Sequence, residues 1–335
     1  MNPIAALFPF ALIIGLSNSC SPAPERAQPG FFTTIYSEAP LAASLAFNLD
    51  SVTRDKQLEP EVDGLFTLDR RAPEAIPVEI KCRGERRKSL CGFPPLRIQL
   101  KKAVVADREW GPYRNYKLVT HCSDTLRDEE LLLREYLVYK LYESMTDFSL
   151  RTQLLRIRYL LPNDTLQRFA FLIENEKEMN DRLGVQEWEP GEAPLKAIHY
   201  EHYRRFVLFQ YMVGNTDWNV GTGHNTKYVL AEDSQVPIAI PYDFDYCGLV
   251  NASYAQPYHT LPLAHVRDRY LMYRGQATDD LSDTAREFLD HKARWYSLID
   301  EFEYLSDNCK TDMRSYLDDF FHILEQLDWK EQLFE

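Results

Sequence analysis

The stretch GNTDWNVGTGHN, residues 214–225, and the stretch PIAIPYDFDYCG, residues 237–248, decide how the chain is read. The first is rich in Gly and Asn and has no helical or strand period, so it reads as an irregular loop. The second is a short apolar run that ends in Asp243 and Asp245, separated by one aromatic residue. KYVL, residues 227–230, is strand-like, so a β-hairpin between Lys227 and Ile240 returns the chain to its start. Asp217, Asn225, Asp243 and Asp245 then become neighbours although they are distant in sequence.

Outward from this stretch the pattern changes on each side. Tyr203, Phe206, Val207 and Tyr211 recur at helical spacing before it. Met313, Tyr316, Leu317, Phe320, Leu324 and Leu327 do so far after it. Before Glu174 the runs 78–81, 96–100, 116–120, 154–160 and 169–173 read as strands. One helix interrupts them, opening at Ser123 or Asp124, with Leu131, Val138, Leu141, Tyr142 and Met145 on one stripe. The expectation is an α+β chain: a β-rich first part with one helix over residues 61–175, then a mainly helical part over residues 176–335.

With 335 residues, 45% of them hydrophobic, the chain can fill a substantial core. A formal charge of -13 provides no global basic field for a phosphate backbone, which argues against nucleic acid as the principal partner. Residues 3–16 form an apolar run too short to span a bilayer and suited to a signal-peptide core. Ser17, Asn18 and Ser19 lead into Cys20 in an order resembling a bacterial lipoprotein processing site. Residues 1–20 are therefore expected to be a signal peptide ending at a lipidated Cys20, and residues 21–60, mixed in Pro, Ala, Ser and charge, a flexible tether. That places the folded part outside the cytoplasm, anchored to the bacterial envelope.

Of six cysteines, five follow Cys20, and an odd number excludes complete internal pairing. Cys82 and Cys91 flank a short polar segment between strands and are the expected disulfide. His199 and His202 have the spacing of a metal pair, but beside Glu201 on a helix they read as a surface or interlobe pair.

Transfer of a phosphoryl group from a nucleoside triphosphate needs a carboxylate near the acceptor hydroxyl and oxygen ligands for magnesium. The loop and the acidic turn supply both. Together they resemble the catalytic loop and metal-binding turn of the spore-coat-protein-H (CotH) kinases, and more distantly of HipA-like kinases. IKCRGERRKSLCGFPPLRIQLKK (residues 80–102), YKLVTHCSDTLRDEELLLREYLVYKLYE (residues 116–143) and RFAFLIENEKEM (residues 168–179) follow the family's order upstream.

The resemblance implies a two-lobed protein-kinase-like fold with ATP and magnesium between the lobes. It makes Asp217 the catalytic carboxylate and Asn225 and Asp243 metal ligands, with Asp245 as an alternative ligand. Lys117 becomes the phosphate-contacting lysine, with Glu135 or Glu130 as its partner, and Arg97 or Lys101 could replace it. Glu174 begins the connection near the adenine. No Gly-rich GxGxxG loop is present, so residues 81–88 are expected to cover the phosphates. Asp217 and Asn225 lie eight positions apart rather than the five usual in protein kinases, which leaves Asn219 a share of the role. The acceptor is then a hydroxyl of a protein or small molecule. Two alternatives stand beside this reading: a catalytically inactive kinase-like binding module, and a structural surface lipoprotein whose acidic turns bind calcium.

Overall fold

The computed structural model describes residues 28–189, 198–232, 234–273, 281–326 and 329–330. The expected signal peptide and Cys20 lie outside the described residues. Among the described residues, no helix is long and apolar enough to cross a membrane.

The expected two-lobed fold with one helix in its β-rich part is not what forms. α1 (Phe31–Ile35), β1 (Leu41–Ala46), α2 (Leu49–Thr53), β2 (Val62–Leu68), β3 (Glu74–Cys82), α3 (Arg86–Leu90), β4 (Leu96–Leu100), α4 (Lys102–Asp107) and β5 (Asn115–Val119) are followed by α5 (Leu126–Glu143), β6 (Thr152–Leu161) and β7 (Asp164–Ile173). The seven strands close into a barrel in the order β1-β2-β3-β4-β5-β7-β6. Closure comes from β1 running parallel to β6, with Leu41 opposite Leu155 and Ala46 opposite Leu160, while the other neighbours are antiparallel. A closed barrel leaves no edge strand to attract foreign chains.

Alternation along the strands fills the barrel. Ile76, Val78, Ile80 and Cys82 of β3 are buried, as are Leu96, Ile98 and Leu100 of β4. α1 adds Phe31 and Phe32 to the same core, with the Phe31 ring 5.9 Å from Phe66, 5.2 Å from Trp110 and 5.4 Å from Tyr116. Residues 31–35 and 41–46, expected to belong to a tether, are thus structural parts of the barrel.

The chain continues through α6 (Glu176–Leu183), β8 (Val185–Glu187), α7 (Tyr200–Val213), β9 (Thr226–Ala231), β10 (Ile238–Pro241), α8 (Ser282–Asp300) and α9 (Asp307–Leu324). β10, β9 and β8 make a small antiparallel sheet. α5 links the two halves. The Thr125 hydroxyl accepts the Asp128 N–H at 3.2 Å as its cap, and every residue from Leu132 to Tyr142 is buried. A helix buried all round needs protein on every side, which explains why the expected single apolar stripe was too narrow. Val119, Phe171 and Ile173 of the barrel share one core with α5 and with Phe288, Trp295 and Phe320 of the last two helices. This continuous core replaces the expected separation into lobes.

The disulfide also differs from expectation. Cys91 pairs with Cys122, with Cα atoms 4.6 Å apart, and Cys82, Cys247 and Cys309 are buried free thiols. Cys82 alternates into the barrel core, where its thiol donates to the Val52 carbonyl at 3.4 Å.

Candidate phosphate and metal site

α7 stops at Gly214, whose φ of 66° is a left-handed conformation that favours glycine. The buried Asn215 then organises the loop. Its Nδ2 donates to Gln210 Oε1 at 3.0 Å, its Oδ1 accepts the Asp217 N–H at 3.0 Å, and its carbonyl accepts the Trp218 indole N–H at 3.0 Å. Trp218 is anchored edge-on against Phe206. The turn fixes Asp217 before the chain leaves the core.

The eight-residue spacing has a simple cause. Asn219 and His224 form an isolated antiparallel bridge, with N–H to carbonyl distances of 2.9 and 3.1 Å, and the intervening residues are a closed loop. Asn219 Oδ1 accepts the N–H groups of Gly221 and Thr222 at 2.7 and 3.1 Å, so its side chain closes this loop. Asn225 thereby returns to Asp217: its Nδ2 donates to the Asp217 carbonyl at 2.7 Å and to Oδ2 at 3.1 Å. His224 Nε2 lies 2.9 Å from Asp217 Oδ1.

The expected hairpin forms, with Thr226 opposite Pro241 and the Tyr242 N–H donating to the Asn225 carbonyl at 3.3 Å. Asn225 and Asp243 have φ values of 48° and 64°, left-handed for residues that carry a Cβ. Such conformations persist only where surroundings impose them. For Asp243 they are the Tyr139 hydroxyl, which accepts its N–H at 2.8 Å, and Phe244, buried with its ring 4.8 Å from Tyr139 and 5.9 Å from Phe209. Asp245 is buried and accepts the Tyr254 hydroxyl at 3.0 Å. Burial, and then the neighbouring Asp243, push its carboxyl up to about 7.

A cavity of about 560 Å³ is lined by Asp217, Asn225, Asp243 and Asp245 and also by Arg83, Arg86 and Arg87. The arginines come from the turn after β3 and from α3, within the segment expected to cover phosphates. The Arg87 guanidinium is 3.6 Å from Glu135 of α5 and donates to the Thr120 carbonyl. Burial, and then Asp245, raise the Glu135 carboxyl well above its ordinary range, against the pull of Arg87.

The other expected site residues lie elsewhere. Lys117 does not meet Glu135; its ammonium pairs with Glu176 at 3.1 Å and sits 4.5 Å from the Tyr242 ring centre. Glu130 turns to Ser306 and Cys309 at the start of α9. Glu174 is held by Arg182 at 2.8 Å and accepts the Arg151 N–H at 3.1 Å. Arg97 pairs with Glu61 and Lys101 with Asp63. Lys117, Glu174 and Arg97 share a separate hollow of about 430 Å³. The His199 and His202 rings are 4.8 Å apart, and His202 is pushed down to about 4 by burial, then by His199. Tyr254, expected to serve core packing or to line a groove after the acidic turn, instead holds Asp245; sequence reasoning did not single out His224, which the loop closure returns to Asp217, or Tyr139, which reaches Asp243 from 104 residues away.

Among the described residues, no group of three or more His, Cys, Asp or Glu side chains is arranged to hold an ion by itself. Beside Asp217, whose carboxylate oxygens already have partners, the cavity is lined by the carboxylates of Asp243 and Asp245 and by Asn225. A donor set that sparse fits magnesium, which keeps waters and takes phosphate oxygens, better than an all-protein calcium cage.

No family model matches the chain, and no curated protein matches it. Solved structures do match, and one of them is the Helicobacter pylori proinflammatory kinase CtkA, at 12% identity, covering 71% of this chain and 90% of that chain, with a TM-score of 0.39. A kinase is therefore among the structural neighbours, and the CotH family is not shown. At that similarity the likeness bears on neither substrate nor chemistry.

Proposed function

We propose that the chain is an ATP-dependent phosphotransferase, related in its motifs to the CotH-type kinases, that moves a phosphoryl group to a hydroxyl of a protein or small molecule. The observation that carries this is that Asp217, Asn225, Asp243 and Asp245 line one cavity together with Arg83, Arg86 and Arg87. Such a combination of acids and arginines suits a ligand that is itself a polyanion with a bound cation.

In this reading the arginines grip phosphate oxygens, and the buried Glu135 holds Arg87 in place. Asn225, Asp243 and Asp245 would hold magnesium, which when bound neutralises charge on the phosphates. Asp217 accepts the hydrogen of the acceptor hydroxyl and aims its oxygen, while His224 and Asn225 fix the carboxylate. Asp217→Asn is expected to lower the rate of phosphate transfer from ATP by about 10²–10⁴-fold, the usual range for a positioned proton acceptor, with little change in ATP binding. An Asp217→Asn protein as active as the parent contradicts the assignment.

One observation favours the inactive binding module as a second reading: both Asp217 carboxylate oxygens already have partners, His224 and Asn225. Magnesium-dependent ATP binding without turnover in the parent protein is its signature. The proposal also includes export with Cys20 as lipid anchor; Cys20→Ala should then move the protein from the membrane fraction to the soluble one.

A further inference from the structure

Lys117 of β5 and Lys227 of β9 come from the barrel and the small sheet, and they converge on a single carboxylate. Lys117 Nζ is 3.1 Å from Glu176 Oε1, and Lys227 Nζ is 3.0 Å from Glu176 Oε2. Both ammonium groups lie over the ring of Tyr242, at 4.5 and 5.2 Å from its centre. Tyr242 directly precedes Asp243, so the cluster adjoins the acidic turn. Glu176 is placed by the start of α6, where Asn175 Oδ1 caps the Lys177 N–H at 2.9 Å and Asn175 Nδ2 donates to the Asn115 carbonyl of β5 at 2.8 Å.

Two ammonium groups thus share one carboxylate in a half-buried place, with Glu187 adding its attraction at Lys227 and Asp243 at Lys117. Burial, acting first, holds the Lys117 ammonium below its ordinary range, and Glu176 only partly offsets it. Glu176, with Glu187, lines both of two cavities, one of about 250 Å³ that also holds Lys227, Thr226 and Trp188, the other of about 430 Å³ that also holds Lys117 and Asn175. An anion has room to reach either lysine, and phosphate oxygens bearing more than one charge match two ammonium groups better than one carboxylate does.

We propose that Lys117 and Lys227 form one anion site for the polyphosphate chain of the nucleotide, which Glu176 fills in the ligand-free protein; the inference rests on the nucleotide reading above. Phosphate oxygens displace the Glu176 carboxylate, and Lys227, unassigned by the motifs, becomes a second phosphate contact beside Lys117. The Arg83 to Arg87 segment then serves the part of the chain nearest the acidic turn.

Inorganic tripolyphosphate in the presence of a chelator tests the site without metal or base. Removing the competing carboxylate in Glu176→Gln should tighten its binding, measured by calorimetry, by about fivefold or more, the lower end of usual coupling between two ligands of one site. Lys227→Met should weaken it by a similar factor, and Lys227→Arg, which keeps the charge, should retain it. Unchanged or weaker binding in Glu176→Gln overturns the inference, and this holds even if Lys227→Met fails to fold. Tripolyphosphate binding with the expected pattern but no magnesium-dependent response to ATP removes the nucleotide reading and leaves a polyphosphate site. A magnesium-dependent ATP response with no effect at Glu176 does the reverse.

Discussion

Arg87→Met removes the cation paired with the buried carboxyl of Glu135, and its cost can be worked from the geometry. The Arg87 side chain is 12% exposed and that of Glu135 2%, with 3.6 Å between them. Breaking such a pair strands the remaining charge in a poorly solvated place, which costs about 3–5 kcal/mol. Glu135 can escape part of that cost by taking a proton, because its folded carboxyl is already raised by burial and then by Asp245. The loss should therefore be smaller at pH 5 than at pH 8, since lowering the pH favours the neutral acid. Arg87→Met combined with Glu135→Leu removes both charges and should recover most of the loss, giving a coupling energy of about 2 kcal/mol or more. Urea unfolding of the parent, both single variants and the double variant at the two pH values measures all of these. A cost below about 1 kcal/mol that does not change with pH refutes the account of Arg87 as the counter-charge.

Other outcomes follow from the same structure. Replacing Cys91 and Cys122 by Ser should cost about 3–4 kcal/mol in urea unfolding, from chain entropy over their separation of 31 residues, and dithiothreitol should reproduce the loss in the parent. Asp245 holds its proton more tightly when folded, so its contribution to stability is complete at low pH and is lost as pH rises from 3.8 to about 7. Asp245→Asn should flatten the fall in thermal midpoint across that window. His224→Ala should leave the fold intact, since the imidazole is half exposed, yet slow phosphate transfer by freeing Asp217 Oδ1, and a pH-rate profile of the two proteins would record the change.

What the sequence revealed and what it hid follow from the range of the interactions concerned. β4, β5 and β7 were legible because alternation and their bounding turns are local. β1 and β2 were not: LAASLA is small and mixed, VDGLFTL buries only Phe66 and Leu68, and the pairing that closes the barrel joins Leu41 to Leu155. No local period encodes a contact of that separation. The hairpin and the meeting of Asp217 with Asn225 were legible because a short loop and a turn enforce them. The choice of ion-pair partners was not, since Lys117 can extend toward several acids, and the placement of Glu176 by α6 decides among them. The disulfide was misread for a related reason: Cys82 is nearer Cys91 in sequence, but the barrel turns it inward and brings Cys122 alongside.

The central claim is a magnesium-dependent nucleotide site at Asp243, and the thermal midpoint with ATP, magnesium, both or neither tests it most directly. Ligand at about 100 times its dissociation constant adds about 2.7 kcal/mol of stability, which raises the midpoint by about 5 °C for a chain of this size. The account predicts that rise only when both are present, and its loss in Asp243→Ala. No rise with both ligands, or an equal rise in Asp243→Ala, would contradict it.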